Sequence, residues 1–187
     1  MPDMTTRKRP RLRVCNWTFE VGASGGGAPS RTVFIGKGKS NMLTRSLHGL
    51  VVARLVHQVQ GFLETNPVGR CYVATGCVFE GSEIVHPDIS VLLQENLSRA
   101  RDVIEGAPDW IAEVLDEDDS PFSVTERLNL YRRSGVSEVW IISPRRRAAW
   151  VGLLREAGWE ALPRHQARIE SRLLNGLYVD IDPLFAP

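Results

Sequence analysis

Between Pro108 and Pro144 the chain reads PDWIAEVLDEDDSPFSVTERLNLYRRSGVSEVWIISP, and this stretch constrains the fold more than any other. Trp110 to Leu115 is apolar except for Glu113, the pattern of a strand covered on both faces. The acidic cluster Asp116 to Asp119 then reads as a solvated turn. A helix beginning at Ser123 or Thr125 follows, with Leu128 and Tyr131 facing inward, and ends at Gly135. Val136 to Ser143 is a second apolar strand that stops at Pro144. Such a stretch needs a sheet with helices packed against it. It also carries one acid, Glu113, whose burial costs free energy unless something pairs with it.

The rest of the chain supplies the neighbours. Asn41 to Thr65 is the clearest helix: Leu47, Val51, Leu55, Val59 and Phe62 recur at steps of three and four on one face. Asn41 or Thr44 is the expected cap, and Asn66-Pro67 ends it. CYVATGCVF (Cys71 to Phe79) is rich in β-branched and aromatic residues and reads as a strand. IVHPDISVLL (Ile84 to Leu93) reads as its hairpin partner. Pro87 has no amide to donate, so this strand is interrupted there, and Asp88 falls where the backbone is least regular. Gln94 to Gly106 is a surface loop or short helix, and Ala148 to Leu154 forms a second hairpin with Val136 to Ser143. The closing segment through ESRLLNGLYVDIDPLF reads as peripheral strand and loop. The expected fold class is therefore α/β (α+β), a single domain with a central mixed sheet flanked by helices and with extra hairpin strands.

The domain is expected to span residues 32–187, after a basic, Gly-rich and flexible N-terminal segment, 1–31. Val14 to Val21 is a short strand within that segment. At 187 residues with a net charge of +1, the molecule as a whole is not marked for a polyanion. Basic surface is local, in RKRPRLR (Arg7 to Arg13) and in the turn Arg145, Arg146 and Arg147. Cys15, Cys71 and Cys77 have no zinc-ligand spacing and cannot all pair, which points to a reducing compartment. No apolar run approaches the length of a membrane span, and no apolar core follows the basic N-terminus, so the expected location is the cytoplasm. The fragment GKGKS does not make a phosphate-binding loop, because that motif needs a glycine where Val33 stands.

Asp88 and Glu113 fall on neighbouring strands. Two carboxylates a few ångströms apart cannot both stay charged without a cation or protons. Magnesium suits such a pair, because it takes oxygen ligands and needs only one or two protein carboxylates. Bound there, it would serve phosphodiester hydrolysis. The plainer alternative is that Glu113 is only paired, with Arg127, in a buried salt bridge.

Several segments together resemble the putative restriction endonuclease family, Uma-type, within the PD-(D/E)XK nuclease fold. They are VHPDISVL around Asp88, GAPDWIAEVL around Glu113, RLNLYRRSGVSEVWIISP from Arg127, ESRLLNGLYVDIDPLF at the end, and the helix near SLHGLVVARL. The resemblance covers about Thr32 to Pro187. It implies a DNA endonuclease that uses Mg2+ or Mn2+, held by Asp88, Glu113 and the Val114 carbonyl. Arg127 stands at the phosphate-stabilising position. His48 and Asp116 are additional candidates for the site, and Arg145, Arg146 and Arg147 for DNA contacts. A homodimer is the arrangement that cutting both strands of a duplex would favour.

The sequence also departs from the family. Asp116 stands where the family usually has a serine, and Arg127 where it usually has a lysine. Leu115 occupies the position at which other members of the wider fold keep their lysine. The family's acid in the early strand has no counterpart at Thr32. Arginine keeps the charge but does not give up its proton, so the two are not equivalent at a tight site. The alternative implied is a catalytically degenerate nuclease-fold module that binds DNA without cutting it.

Overall fold

A computed structural model of the chain describes residues 11–14, 17–20, 42–79, 84–116, 119–155, 158–161 and 167–186. Arg7 to Pro10, Cys15, Gly22 to Ser30, Thr32, GKGKS, Asn41, Glu117 and Asp118 lie outside the described residues.

In chain order the elements are β1 (Arg11–Val14), β2 (Trp17–Glu20), α1 (Met42–Thr65), β3 (Gly69–Val73), β4 (Cys77–Val78), β5 (Ile84–Val85) and β6 (Ile89–Leu93). A 3-10 turn at Gln94–Arg99 follows, then β7 (Ile104–Glu105), β8 (Trp110–Val114), α2 (Pro121–Ser134), β9 (Glu138–Ser143) and β10 (Ala148–Arg155). The chain closes with β11 (Gly158–Ala161), β12 (Arg168–Glu170), β13 (Tyr178–Asp180) and α3 (Ile181–Leu184). The main sheet has the order β11-β10-β9-β8-β6-β3. It is mixed: β8 and β9 run parallel through the α2 crossover, and every other neighbouring pair is antiparallel. β1 pairs with β2, so the single strand expected at Val14 to Val21 is a hairpin that starts earlier.

Strand alternation sorts the core into two layers. Ile89, Val91, Trp110, Ala112, Val114, Trp140 and Ile142 face α1, where Val51, Leu55, Val59 and Leu63 cover them. Leu92, Ile111, Val139 and Ile141 face α2, under Val124, Leu128, Leu130 and Tyr131. Burying each such side chain contributes about 1.5–3 kcal/mol. Leu47, expected on the buried face of α1, is 38% exposed, and the fully buried face of the helix begins at Val51. Thr44 lies inside α1, which already begins at Met42, so it is not the cap.

The first hairpin is present but broken in both arms. Ala74, with φ of 48°, ends β3, and the Pro87-Asp88 bend separates β5 from β6. The outer halves leave the main sheet and join β7 in a three-stranded sheet, order β5-β4-β7. The start of α2 also differs from expectation. Ser120, three to five residues earlier, is the cap: its side chain accepts from the Ser123 N–H at 3.1 Å, and Pro121 takes the first helical position, where no donor is needed. Gly135, with φ of 87°, closes the helix as expected.

The C-terminal segment is not peripheral. Ile169, Leu174, Leu177, Val179, Ile181, Leu184 and Phe185 belong to the α1-side core. Glu138, fully buried, fastens it. One carboxylate oxygen accepts from the indoles of Trp110 (3.2 Å) and Trp140 (2.6 Å), and the other from the backbone N–H of Arg172 (2.8 Å) and Leu173 (2.9 Å). Among the described residues no helix is long and apolar enough to cross a membrane.

Candidate active site

Because β8 and β9 are parallel, their C-terminal ends lie at one end of the sheet, which also holds the start of β6, the start of α2 and the β9–β10 turn. Ligands of open α/β sheets bind outside the carboxyl ends of parallel strands, where loops are free to vary. Asp88, Glu113, Asp116, Asp119 and the turn Arg145 to Arg147 all fall at this end.

The antiparallel ladder between β6 and β8 ends at the pair Ile89 and Ala112, and Asp88 and Glu113 are the next residues beyond that pair. Both acids are buried, at 7% and 2% exposure. They are held from different sides. Asp88 Oδ2 accepts from the Val114 N–H at 2.9 Å and lies 3.3 Å from Nε2 of His48 on α1. Glu113 points to the α2 side, where the Tyr131 hydroxyl donates to Oε1 at 2.5 Å and Arg127 Nε stands 3.8 Å from Oε2.

Arg127 and Tyr131 are four residues apart, hence neighbours on one face of α2. The other end of the guanidinium, Nη1, donates to Asp119 Oδ1 at 2.9 Å, and Asp119 Oδ2 accepts from the Asp116 N–H at 2.9 Å. The acidic turn is thus folded inward at Asp119, whose side chain is 8% exposed. The expectation of a solvated turn fails there, because Arg127 offers the acid a buried counter-charge. The paired alternative for Glu113 has a physical basis too, although at 3.8 Å the contact is Coulombic and not a hydrogen bond.

Burial by itself would favour loss of the Arg127 proton, but the Glu113 and Asp119 carboxylates outweigh it and hold the group above its ordinary value. Burial, followed by the Glu113 charge and hydrogen bond, raises Tyr131 well above the usual phenol value, so it remains a donor. Burial also pushes the Cys77 thiol up to about 12, with the nearby Glu113 charge adding to it and Ser90 opposing.

The donors are of the oxygen type that a hard divalent cation takes, with Asp88 held from the α1 side, Glu113 on the α2 side, and a neighbouring Asp116 whose buried Oδ1 has no hydrogen-bond partner among the described residues. Among those residues no three His, Cys, Asp or Glu side chains are grouped to hold one ion.

Of the sequence candidates, His48, Asp88, Val114, Glu113 and Arg127 form one connected group, and Asp116 adjoins it through Asp119. The basic turn lies at the same end but is not uniformly available. Arg147 is committed within the molecule, donating to the Phe185 carbonyl at 3.0 Å and lying over the Phe185 ring. Two members escaped the sequence. Tyr131 was legible only as an inward-facing residue, although its i+4 spacing from Arg127 places both on one face. Nothing in a run of four acids tells which one turns inward to Asp119's position.

The domain is thus a mixed α/β sheet between helices, with two acids at the ends of neighbouring strands. The crystal structure of a putative nuclease of the DUF820 group from Anabaena variabilis has the same fold, with a TM-score of 0.62 at 23% identity over 74% of this chain and 80% of that one. No curated protein matches the chain. The sequence profile of the Uma2 family, described as a putative restriction endonuclease, matches residues 40–182. The chain belongs to that family.

Proposed function

We propose that this chain is an endonuclease that hydrolyses DNA phosphodiester bonds with Mg2+ or Mn2+ at the Asp88–Glu113 end of the sheet. The observation that carries the reading is the pair of buried acids just beyond the end of the β6–β8 ladder, within a family described as putative restriction endonucleases. Asp88, Glu113 and the Val114 carbonyl would hold the cation. A bound ion of this kind supplies positive charge for phosphate oxygens and makes water more acidic.

The protein's own groups do the rest. The Val114 N–H and His48 fix the Asp88 carboxylate, and Tyr131 fixes Glu113 through Oε1. Arg127, kept charged by the carboxylates around it, stabilises charge on the phosphate. Arg145, exposed on the β9–β10 turn, contacts the duplex backbone, where flexible positive charge is enough. The test is supercoiled plasmid incubated with the purified chain across a series of divalent metals. Nicking in Mg2+ or Mn2+ that chelator stops and Asp88→Ala abolishes is the expected result. An Asp88→Ala variant that nicks as fast as the parent contradicts the assignment.

A second reading, a DNA-binding module without cleavage, draws support from one observation. Glu113 already has the Tyr131 hydroxyl and the Arg127 charge beside it, so it is partly balanced without a metal. That reading requires salt-sensitive DNA binding, no nicking by the parent in any divalent metal, and a gain of nicking in Arg127→Lys. Metal-dependent nicking by the parent removes it.

A further inference from the structure

The turn from Pro144 to Arg147 stands beside the candidate site. The Ile142 carbonyl just before it accepts at 2.8 Å from the N–H of Leu115, two residues after Glu113. Two backbone bonds shape the turn: the Arg146 N–H donates to the Ser143 carbonyl at 3.2 Å, and the Arg147 N–H to the Pro144 carbonyl at 3.1 Å. Arg147 closes it in a left-handed conformation, with φ of 44°. Glycine or asparagine suits that region, and an arginine there needs something to hold it. The C-terminal segment does so. Nη1 of Arg147 donates to the Phe185 carbonyl at 3.0 Å, the guanidinium lies 5.7 Å from the centre of the Phe185 ring, and Nη2 is 3.8 Å from Asp182 Oδ1. Phe185 is anchored in the core, at 5% exposure. The carbonyls on either side of it, Leu184 and Ala186, accept from Arg54 of α1 at 3.2 and 2.5 Å. Three successive carbonyls are thus gripped by two arginines, one from the helix and one from the turn.

We propose that Arg147 is a positioning residue: it ties the β9–β10 turn to the C-terminal segment, so that Arg145 meets a DNA phosphate in a fixed place while Arg147 itself meets none; this rests on the DNA reading above. To reach a phosphate, Arg147 would have to give up the Phe185 carbonyl and the ring face together. A guanidinium can donate to a carbonyl and lie on a ring at once, because its donors share one plane. The tie also carries position across the molecule. The segment it grips is held on its other side by Arg54, and six residues earlier on the same helix His48 lies 3.3 Å from Asp88. The turn is thereby set relative to the helix that braces Asp88. Phosphate contacts fix the register of a protein on a duplex without reading its sequence. A fixed Arg145, exposed at the tip of the turn, therefore sets which phosphodiester lies at the Asp88–Glu113 end of the sheet.

The experiment compares the parent, Arg147→Asn, Arg145→Ala and the double variant, with folding checked by circular dichroism. Asparagine accepts the left-handed conformation but cannot reach Phe185. Two readouts are taken: affinity for a short fluorescent duplex in chelator across a KCl series, and exchange of the Arg146 and Arg147 backbone amides in DNA-free protein. Arg145→Ala is expected to weaken binding and to lower the salt slope by about one, as loss of one phosphate contact does. Arg147→Asn is expected to speed exchange at both amides and to weaken binding about fivefold, the cost of ordering one long side chain at an interface. In the Arg145→Ala background, Arg147→Asn is expected to change affinity no further. Arg147→Gly repeats the test should the Asn variant not fold. An equal loss in the Arg145→Ala background overturns the proposal, because Arg147 would then touch the duplex itself. Unchanged affinity in Arg147→Asn overturns it too, leaving Arg147 a fold element only. A parent that binds no duplex at low salt overturns the phosphate half together with the functional reading. Amide exchange separately decides whether the tie shapes the turn, and unchanged exchange in Arg147→Asn overturns that half.

Discussion

Glu113 is a carboxylate whose surroundings were only half legible. That it needed a partner followed from one acid in an apolar strand, and Arg127 was nameable as that partner. Tyr131 was not, because a tyrosine at an inward helix position looks the same whether its hydroxyl is spent on solvent or on an acid. Tyr131→Phe tests the difference. It leaves Glu113 Oε1 without its donor, so a loss of about 1–3 kcal/mol is expected in urea unfolding, with slower nicking. The buried thiols make a separate prediction about pH. Burial raises Cys71 to about 11 and Cys77 to about 12 from an ordinary value of 9.0. A group with a raised folded-state value contributes stability that is intact below its unfolded value and is lost as pH rises through the folded one. Unfolding free energy is therefore expected to decline from about pH 9 upward. The decline should be shallower when both cysteines are replaced by alanine; an equal slope in that variant would mean other groups cause it.

At the scale of elements, the interior of each was readable and the ends were not. The β8 strand, the body of α1 and the β9–β10 hairpin follow from apolar runs and steps of three and four, which burial enforces. The start of α2 depends on one hydroxyl finding one amide, and Ser120, Ser123 and Thr125 all look alike for that purpose in the sequence. Ser120→Ala is expected to cost about 1 kcal/mol, and Ser120→Thr, which keeps the capping hydroxyl, much less. If the two cost the same, the cap is misplaced. The broken hairpin has the same character. Pro87 announced the break in one arm, whereas Ala74, an ordinary residue in a left-handed conformation, gave no sign of the break in the other.

Across the whole molecule, the mixed α/β architecture was legible because alternation and helix periodicity agree on it. The place of the C-terminal segment was not, because it depends on Glu138, an acid far away in sequence. Glu138→Ala leaves two buried indole N–H groups and two part-buried backbone N–H groups without an acceptor and is expected to cost about 3–5 kcal/mol, read as a lower Tm. A loss below about 1 kcal/mol would mean that the segment is held by its apolar contacts alone. The site draws on the same assembly, since α1, the bend before β6, β8 and α2 all contribute to it. Its central claim is that the Glu113 charge serves chemistry and not the fold. Glu113→Gln keeps the shape of the side chain and an oxygen for Tyr131 while removing that charge. The most direct measurement is the rate at which this variant and the parent nick supercoiled plasmid in Mg2+, at matched circular dichroism. A loss of at least about a hundredfold is expected; a variant that nicks at the parent's rate contradicts the account.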